Sequence, residues 1–105
     1  MTQTEKTPAV VLELDGIKGI QKYLSQSVEI IELSLRKGAK LKRHTLPVNV
    51  VFYVLQGSGV VSIDDFQQRA ECGEIVECPA NAMRLWRNNG SEKLKILAIK
   101  QLKEV

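Results

Sequence analysis

Histidine is the scarcest functional residue in this chain of 105: there is one, His44. A site built on three histidines, or on a histidine pair oriented by a carboxylate, cannot be assembled within one copy. Cysteine is nearly as sparse. Cys72 and Cys78 are too few for a disulfide scaffold, which makes a reducing cytoplasm the default compartment. Long apolar runs are missing as well. The longest, Val50 to Leu55, is too short to cross a bilayer, and the opening Met1 to Lys6 has no apolar core for a signal peptide. Neither charge sign dominates, since fifteen Lys and Arg face twelve Asp and Glu for a net +3. What remains is the composition of one soluble globular domain, 44% hydrophobic and 26% charged, without a membrane segment.

The cations are unevenly placed. Arg36, Lys37, Lys40, Lys42 and Arg43 crowd the approach to His44. An anion-attracting rim and a solvated turn between two strands are both open for this run. No aromatic platform is interleaved with it, which argues against nucleic acid.

Along the chain, Met1 to Ala9 is polar and reads as a flexible tail, and residues 10–105 read as a single domain. Val10 to Leu14 has the composition of a strand. Ile17, Ile20, Tyr23 and Leu24 fall at helical spacing, enough for a turn or two of helix, with Gly16 and Gly19 opposing anything longer. From Val28 the period changes to two, and Ile31, Leu33 and Leu35 share one face. Short β-like segments then recur: Val50–Leu55, Val60–Ile63, Phe66–Cys72, Ile75–Cys78, Met83–Arg87 and a last one carrying Leu94, Ile96 and Ala98. Gly57, Asp64-Asp65, Gly73-Glu74, Pro79 and Asn88-Asn89-Gly90 separate them, the Asn-Gly step suiting a turn with positive φ. Many short strands with almost no helical pattern predict an all-β barrel or sandwich.

Two spacings carry a more specific resemblance. Gly38, His44, Leu46, Val50 and Gly57 fall in register with the pattern G-x5-H-x-H-x3-E-x6-G. Gly73, Pro79, Asn81, Arg84 and Asn88 fall in register with G-x5-P-x-G-x2-H-x3-N. Together they resemble the cupin superfamily, which implies an all-β, cupin-type jelly-roll (double-stranded β-helix) barrel. Metal-binding cupins place two histidines and a glutamate from the first pattern, and a histidine from the second, around one ion. Here only His44 matches a ligand position. The other three positions hold Leu46, Val50 and Arg84, two with no donor atom and one a permanent cation. The resemblance therefore implies a cupin whose usual metal site is lost, with no metal and no cofactor expected.

Strand parity turns these substitutions into an expected interior. His44 and Leu46 share a face; Val50 and Phe52 point the same way from the next strand, and Arg84 and Trp86 from the second pattern. Six residues, His44, Leu46, Val50, Phe52, Arg84 and Trp86, thus form a candidate ligand site, apolar apart from His44 and Arg84. Arg84 would pair with a carboxylate or phosphate, His44 would add a hydrogen bond, and Trp86 would pack on a flat ligand. The competing arrangement is a barrel that fills itself, with Arg84 reaching its mouth. The expected function is a non-catalytic module that binds or senses a small anionic metabolite. The alternative is a cupin enzyme, either metal-free and epimerase-like with His44 as base, or metal-dependent through unusual ligands; no catalytic partner for His44 is identifiable.

Cys72 and Cys78 flank an extended stretch too long to bridge, and both read as small buried hydrophobes. In the last strand Leu94, Ile96 and Ala98 occupy one face while Leu97 and Ile99 occupy the other. A barrel core covers one face only, and small cupins commonly dimerise by sheet-edge pairing, for which Val10 to Leu14 and Leu94 to Leu102 are the candidate apolar edges; together these predict a homodimer.

Overall fold

The computed structural model describes residues 9–102, all strands and connections. The expected tail, apart from Ala9, lies outside the described residues, as do 103–105. Ten strands run in order: β1 (Ala9–Leu14), β2 (Ile17–Leu24), β3 (Val28–Leu35), β4 (Lys40–His44), β5 (Asn49–Gln56), β6 (Ser58–Ile63), β7 (Phe66–Glu71), β8 (Ile75–Cys78), β9 (Arg84–Arg87) and β10 (Leu94–Gln101). They form a six-stranded sheet, β1-β2-β3-β10-β5-β8, and a four-stranded sheet, β4-β9-β6-β7, with every strand pair antiparallel. No helix among the described residues is long and apolar enough to cross a membrane.

Alternation builds the core row by row across the larger sheet. Ile17, Leu35 and Leu94 are cross-strand neighbours on its inner face. The next inner row is Gly19, Leu33, Ile96 and Val54, and the next Gln21, Ile31, Ala98, Phe52 and Val76. The last row ends in charge and polarity at one rim: Glu29 and Lys100 beside Val50 and Cys78. The smaller sheet closes over these rows with Val61, Ala70, Arg84 and Trp86, all buried. Leu35, Val54, Leu94 and Ile96 are fully enclosed, each contributing roughly 1.5–3 kcal/mol by leaving water.

Three expectations need correction. The stretch from Ile17 to Leu24 is a strand, not a turn or two of helix. Ile17 and Gly19 alternate with Lys18, and the strand has a hydrogen-bonding neighbour on each side, which outweighs a weak helical pattern containing two glycines. Gly19 also has a packing role: a Cβ there would lie 3.1 Å from Leu12 Cβ and 3.2 Å from Leu33 Cδ2, so its bare backbone lets Leu12 fold in over the core. The cationic run before His44 is not wholly a turn. Arg36 to Gly38 turns, with Arg36 paired to Asp15 at 3.4 Å, but Lys40–His44 is edge strand β4. Leu41, opposite Trp86, packs against the core, and lysines on an edge strand discourage pairing with other chains. The Arg43 side chain lies outside what the structure describes.

Third, the positive φ expected at Asn88-Asn89-Gly90 is found elsewhere, at Asp64, Asn81, Gly16, Gly38, Gly57 and Gly73. Asn88 is instead a buried clamp. Its Nδ2 donates to the carbonyls of Leu35 and Glu92, both at 2.9 Å, and its Oδ1 accepts from the Gly90 amide at 3.0 Å. Its backbone bonds to Gly38 and Ala39 (Gly38 N to Asn88 O, Asn88 N to Ala39 O), tying β9 to the start of β4.

Candidate functional site

At the rim marked by Glu29 and Lys100 the two sheets part over a cavity of about 230 Å³. Its apolar wall comes from Val11 and Leu12 of β1, Ile31 and Leu33 of β3, Leu41 of β4, Phe52 of β5 and Ala98 of β10. Val11 and Leu12 are adjacent in sequence yet both reach it, because a register shift between Val10 and Leu12 breaks the alternation of β1. Four polar side chains converge on this apolar wall: Glu29, His44, Arg84 and Lys100.

Arg84 dominates the electrostatics. It is 5% exposed, and its guanidinium sits over the Phe52 ring with Cζ 5.6 Å from the centroid. Nη2 lies 3.3 Å from His44 Nε2. His44 Nδ1 lies 3.1 Å from the Lys42 carbonyl, which can only accept, so the proton is on Nδ1 and Nε2 offers its lone pair to the guanidinium. Arg84 Nη1 is buried without a hydrogen-bond partner, and no carboxylate pairs with Arg84 among the described residues. At the rim Glu29 accepts from Gln21 Nε2 at 2.8 Å and lies 3.6 Å from Lys100 Nζ, both charged side chains being about a fifth exposed.

The six candidate residues divide. His44, Phe52 and Arg84 line the cavity together. Trp86 lies one layer deeper, 1% exposed and edge-to-face with Phe52 at 5.4 Å, so it supports the floor and presents no face for stacking a ligand. Leu46 is half-buried and packs on the core. Val50 opens onto a separate depression beside Cys78 and Pro79. His44 is more exposed than its parity implied, since the pairing of β4 with β9 slips between Leu41 and His44. Cys78 is buried as expected, but Cys72 is exposed; it follows the end of β7 and its thiol donates to the Leu55 carbonyl at 3.3 Å.

Glu29 and Lys100 escaped the motif-based reading because neither lies in the matched spacings. The signal was present in the alternation. Glu29 has the parity of Ile31, Leu33 and Leu35, and Lys100 that of Leu94, Ile96 and Ala98. A charged residue continuing an inward-facing apolar series marks the place where a core meets a polar space.

The family model for the cupin domain matches residues 31–100. The chain is a cupin. Its fold is shared by an RmlC-like cupin from Shewanella frigidimarina, with TM-score 0.81 and 14% identity over 97% of this chain and 90% of that one. KdgF from a Halomonas species superposes with TM-score 0.78 and 17% identity, covering 90% and 87%. A conserved protein of unknown function from Streptococcus pyogenes gives 0.76 and 24%, covering 89% and 80%. No curated protein matches the chain.

The donor set of this cupin does not fit the metal of the family's metal-binding members. Of the four ligand positions, His44 alone carries a donor, and the Nε2 lone pair that would coordinate faces the Arg84 guanidinium 3.3 Å away. Among the described residues no group of three or more His, Cys, Asp or Glu side chains converges closely enough to hold an ion.

Proposed function

We propose that this cupin is a non-catalytic module that binds a small anion in the barrel, with Arg84 as the anchor. The observation that carries this reading is the buried guanidinium with an unpartnered Nη1 and no carboxylate. Leaving a buried N–H unmade costs roughly 1–3 kcal/mol, and burying an unpaired cation costs more. A carboxylate or phosphate held in the cavity beside Arg84 supplies the counter-charge that no described carboxylate provides. His44, engaged at both ring nitrogens, holds the guanidinium in place; acting as a base would first require it to release Arg84, which favours binding over epimerase-like catalysis. Two free thiols are in keeping with the cytoplasm.

Thermal shift against carboxylates and phosphorylated metabolites tests the reading. A true ligand at about one hundred times its Kd stabilises by about 2.7 kcal/mol, which in a domain this size raises Tm by roughly 10–20 °C. Arg84→Gln abolishes the shift. A ligand whose effect survives that change binds elsewhere, and a full panel without effect removes the reading.

The last strand is not an edge: β10 lies between β3 and β5, so its two-sided apolarity leaves the outer face of the larger sheet, not an edge, as the support for pairing with a second copy. Tyr23, Ile30, Ile99 and Val51 are neighbours across four strands, and Ile20, Glu32, Leu97, Tyr53 and Ile75 form the next row. Glu32 sits among these apolar side chains with Lys22 at 3.7 Å and Lys95 at 3.9 Å, an alternation of charge that a two-fold-related copy can complement. Light scattering at micromolar concentration then gives the dimer mass, and Leu97→Lys gives the monomer mass without loss of fold. A monomeric wild-type protein excludes this pairing.

A further inference from the structure

The ligand class follows from counting charge and volume around the cavity. With the His44 ring counted as neutral, Arg84 contributes +1, Lys100 +1 and Glu29 −1. The lining therefore carries one net positive charge. Lys100 is already partly compensated by Glu29 at 3.6 Å, whereas Arg84 has no anionic partner, so the uncompensated charge is the guanidinium. A single negative charge neutralises the site. A second meets Glu29, whose carboxylate is about four-fifths buried, is held in place by Gln21 and has no other cation within ion-pair distance among the described residues.

The remaining wall is hydrocarbon, with Ile31, Leu33, Phe52 and Ala98 in two adjoining inner rows behind the charged groups. At about 230 Å³ the cavity is below the range of about 300–1,000 Å³ typical of drug-sized ligands. We infer that the barrel selects a small amphipathic monocarboxylate, with its carboxylate on Arg84 and an apolar body on the Phe52–Ala98–Ile31 row, and that Glu29 discriminates against dianions such as phosphate monoesters. This rests on the anion-binding reading and adds the charge and polarity of the ligand.

Three probes that share a phenyl ring separate charge from shape: benzyl alcohol, benzoate and phenylphosphonate, titrated calorimetrically in mildly alkaline buffer where the phosphonate is doubly charged. Wild-type protein binds benzoate about tenfold more tightly than phenylphosphonate, the scale of one close like-charge contact. Benzyl alcohol binds more weakly than benzoate. Glu29→Gln shifts the benzoate-to-phosphonate ratio by about tenfold toward the phosphonate, and Lys100→Gln shifts it the opposite way. Because the two variants move in opposite directions, general loosening of the barrel cannot imitate the result. A wild-type preference for phenylphosphonate, or a ratio that neither variant moves, overturns the monoanion inference while leaving Arg84-dependent anion binding in place. Failure of all three probes to bind, or binding unaffected by Arg84→Gln, overturns the anion site itself and this inference with it.

Discussion

Replacing Arg84 by methionine stabilises the protein, because a buried guanidinium without a carboxylate costs more to enclose than its few contacts return. Its favourable contacts are few. The bond to His44 is long at 3.3 Å and its acceptor is exposed, which puts it at the low end of the range for a charged donor, about 1.5 kcal/mol. The placement over Phe52 at 5.6 Å adds about 0.5–2 kcal/mol. Against these stand the orphaned Nη1, about 1–3 kcal/mol, and the desolvation of a cation that is 5% exposed and lacks a carboxylate, several kcal/mol more. Methionine keeps an unbranched stem against Phe52, needs no partner and leaves His44 Nε2 to solvent. The balance is a gain of a few kcal/mol, which at about 4–8 °C per kcal/mol is a rise in Tm of roughly 10 °C or more. Urea unfolding with an unchanged m-value measures it directly. The same variant loses every anion-dependent thermal shift. A loss of 1 kcal/mol or more on Arg84→Met would refute the argument: the guanidinium would then be a structural member of a self-filled barrel.

Two further changes test the scaffold that holds the site. Asn88→Ala removes three hydrogen bonds from a fully buried residue, costing about 3 kcal/mol at about 1 kcal/mol per bond; equal stability of wild type and variant in chemical denaturation would show that the clamp contributes nothing. Gly57→Ala places a Cβ 2.5 Å from the Lys93 carbonyl oxygen at φ +78°, so left-handed strain and overpacking together cost about 2–5 kcal/mol, whereas Gly73→Ala, with open space around its Cβ, costs only the conformational part. Similar melting temperatures for the two variants would contradict this account.

The barrel was legible because its information is periodic and local. Ile31, Leu33 and Leu35, the Val50–Phe52–Val54 series and Leu94, Ile96 and Ala98 each declare a face by alternation alone, and all nine are buried. The early strands were harder. β2 carries Gly19, whose contribution is to have no side chain beneath Leu12, and no propensity scale registers that. The site was legible in part for a related reason. Spacing brought His44, Phe52 and Arg84 to one cavity, but it placed Trp86 on a wall when Phe52 stands between it and the space. Parity states which face a residue is on; depth along that face depends on where the neighbouring strands begin and slip, as β4 does after Leu41.

The substitution at the fourth ligand position has an electrostatic logic of its own. Where metal-binding cupins would carry an exchangeable cation among four side chains, this chain carries one that is covalently part of the strand, backed by an aromatic ring and steadied by the remaining histidine. A guanidinium offers planar, paired N–H donors and a charge that does not depend on metal supply, but it has no empty orbital to polarise a carbonyl or activate water. A positive charge thus stands at that position, but one of a kind that supplies no Lewis acid. Leu46 and Val50, at the two positions without a donor atom, serve packing: Val50 is 1% exposed in the core and Leu46 packs against that core, away from the cavity that Arg84 lines.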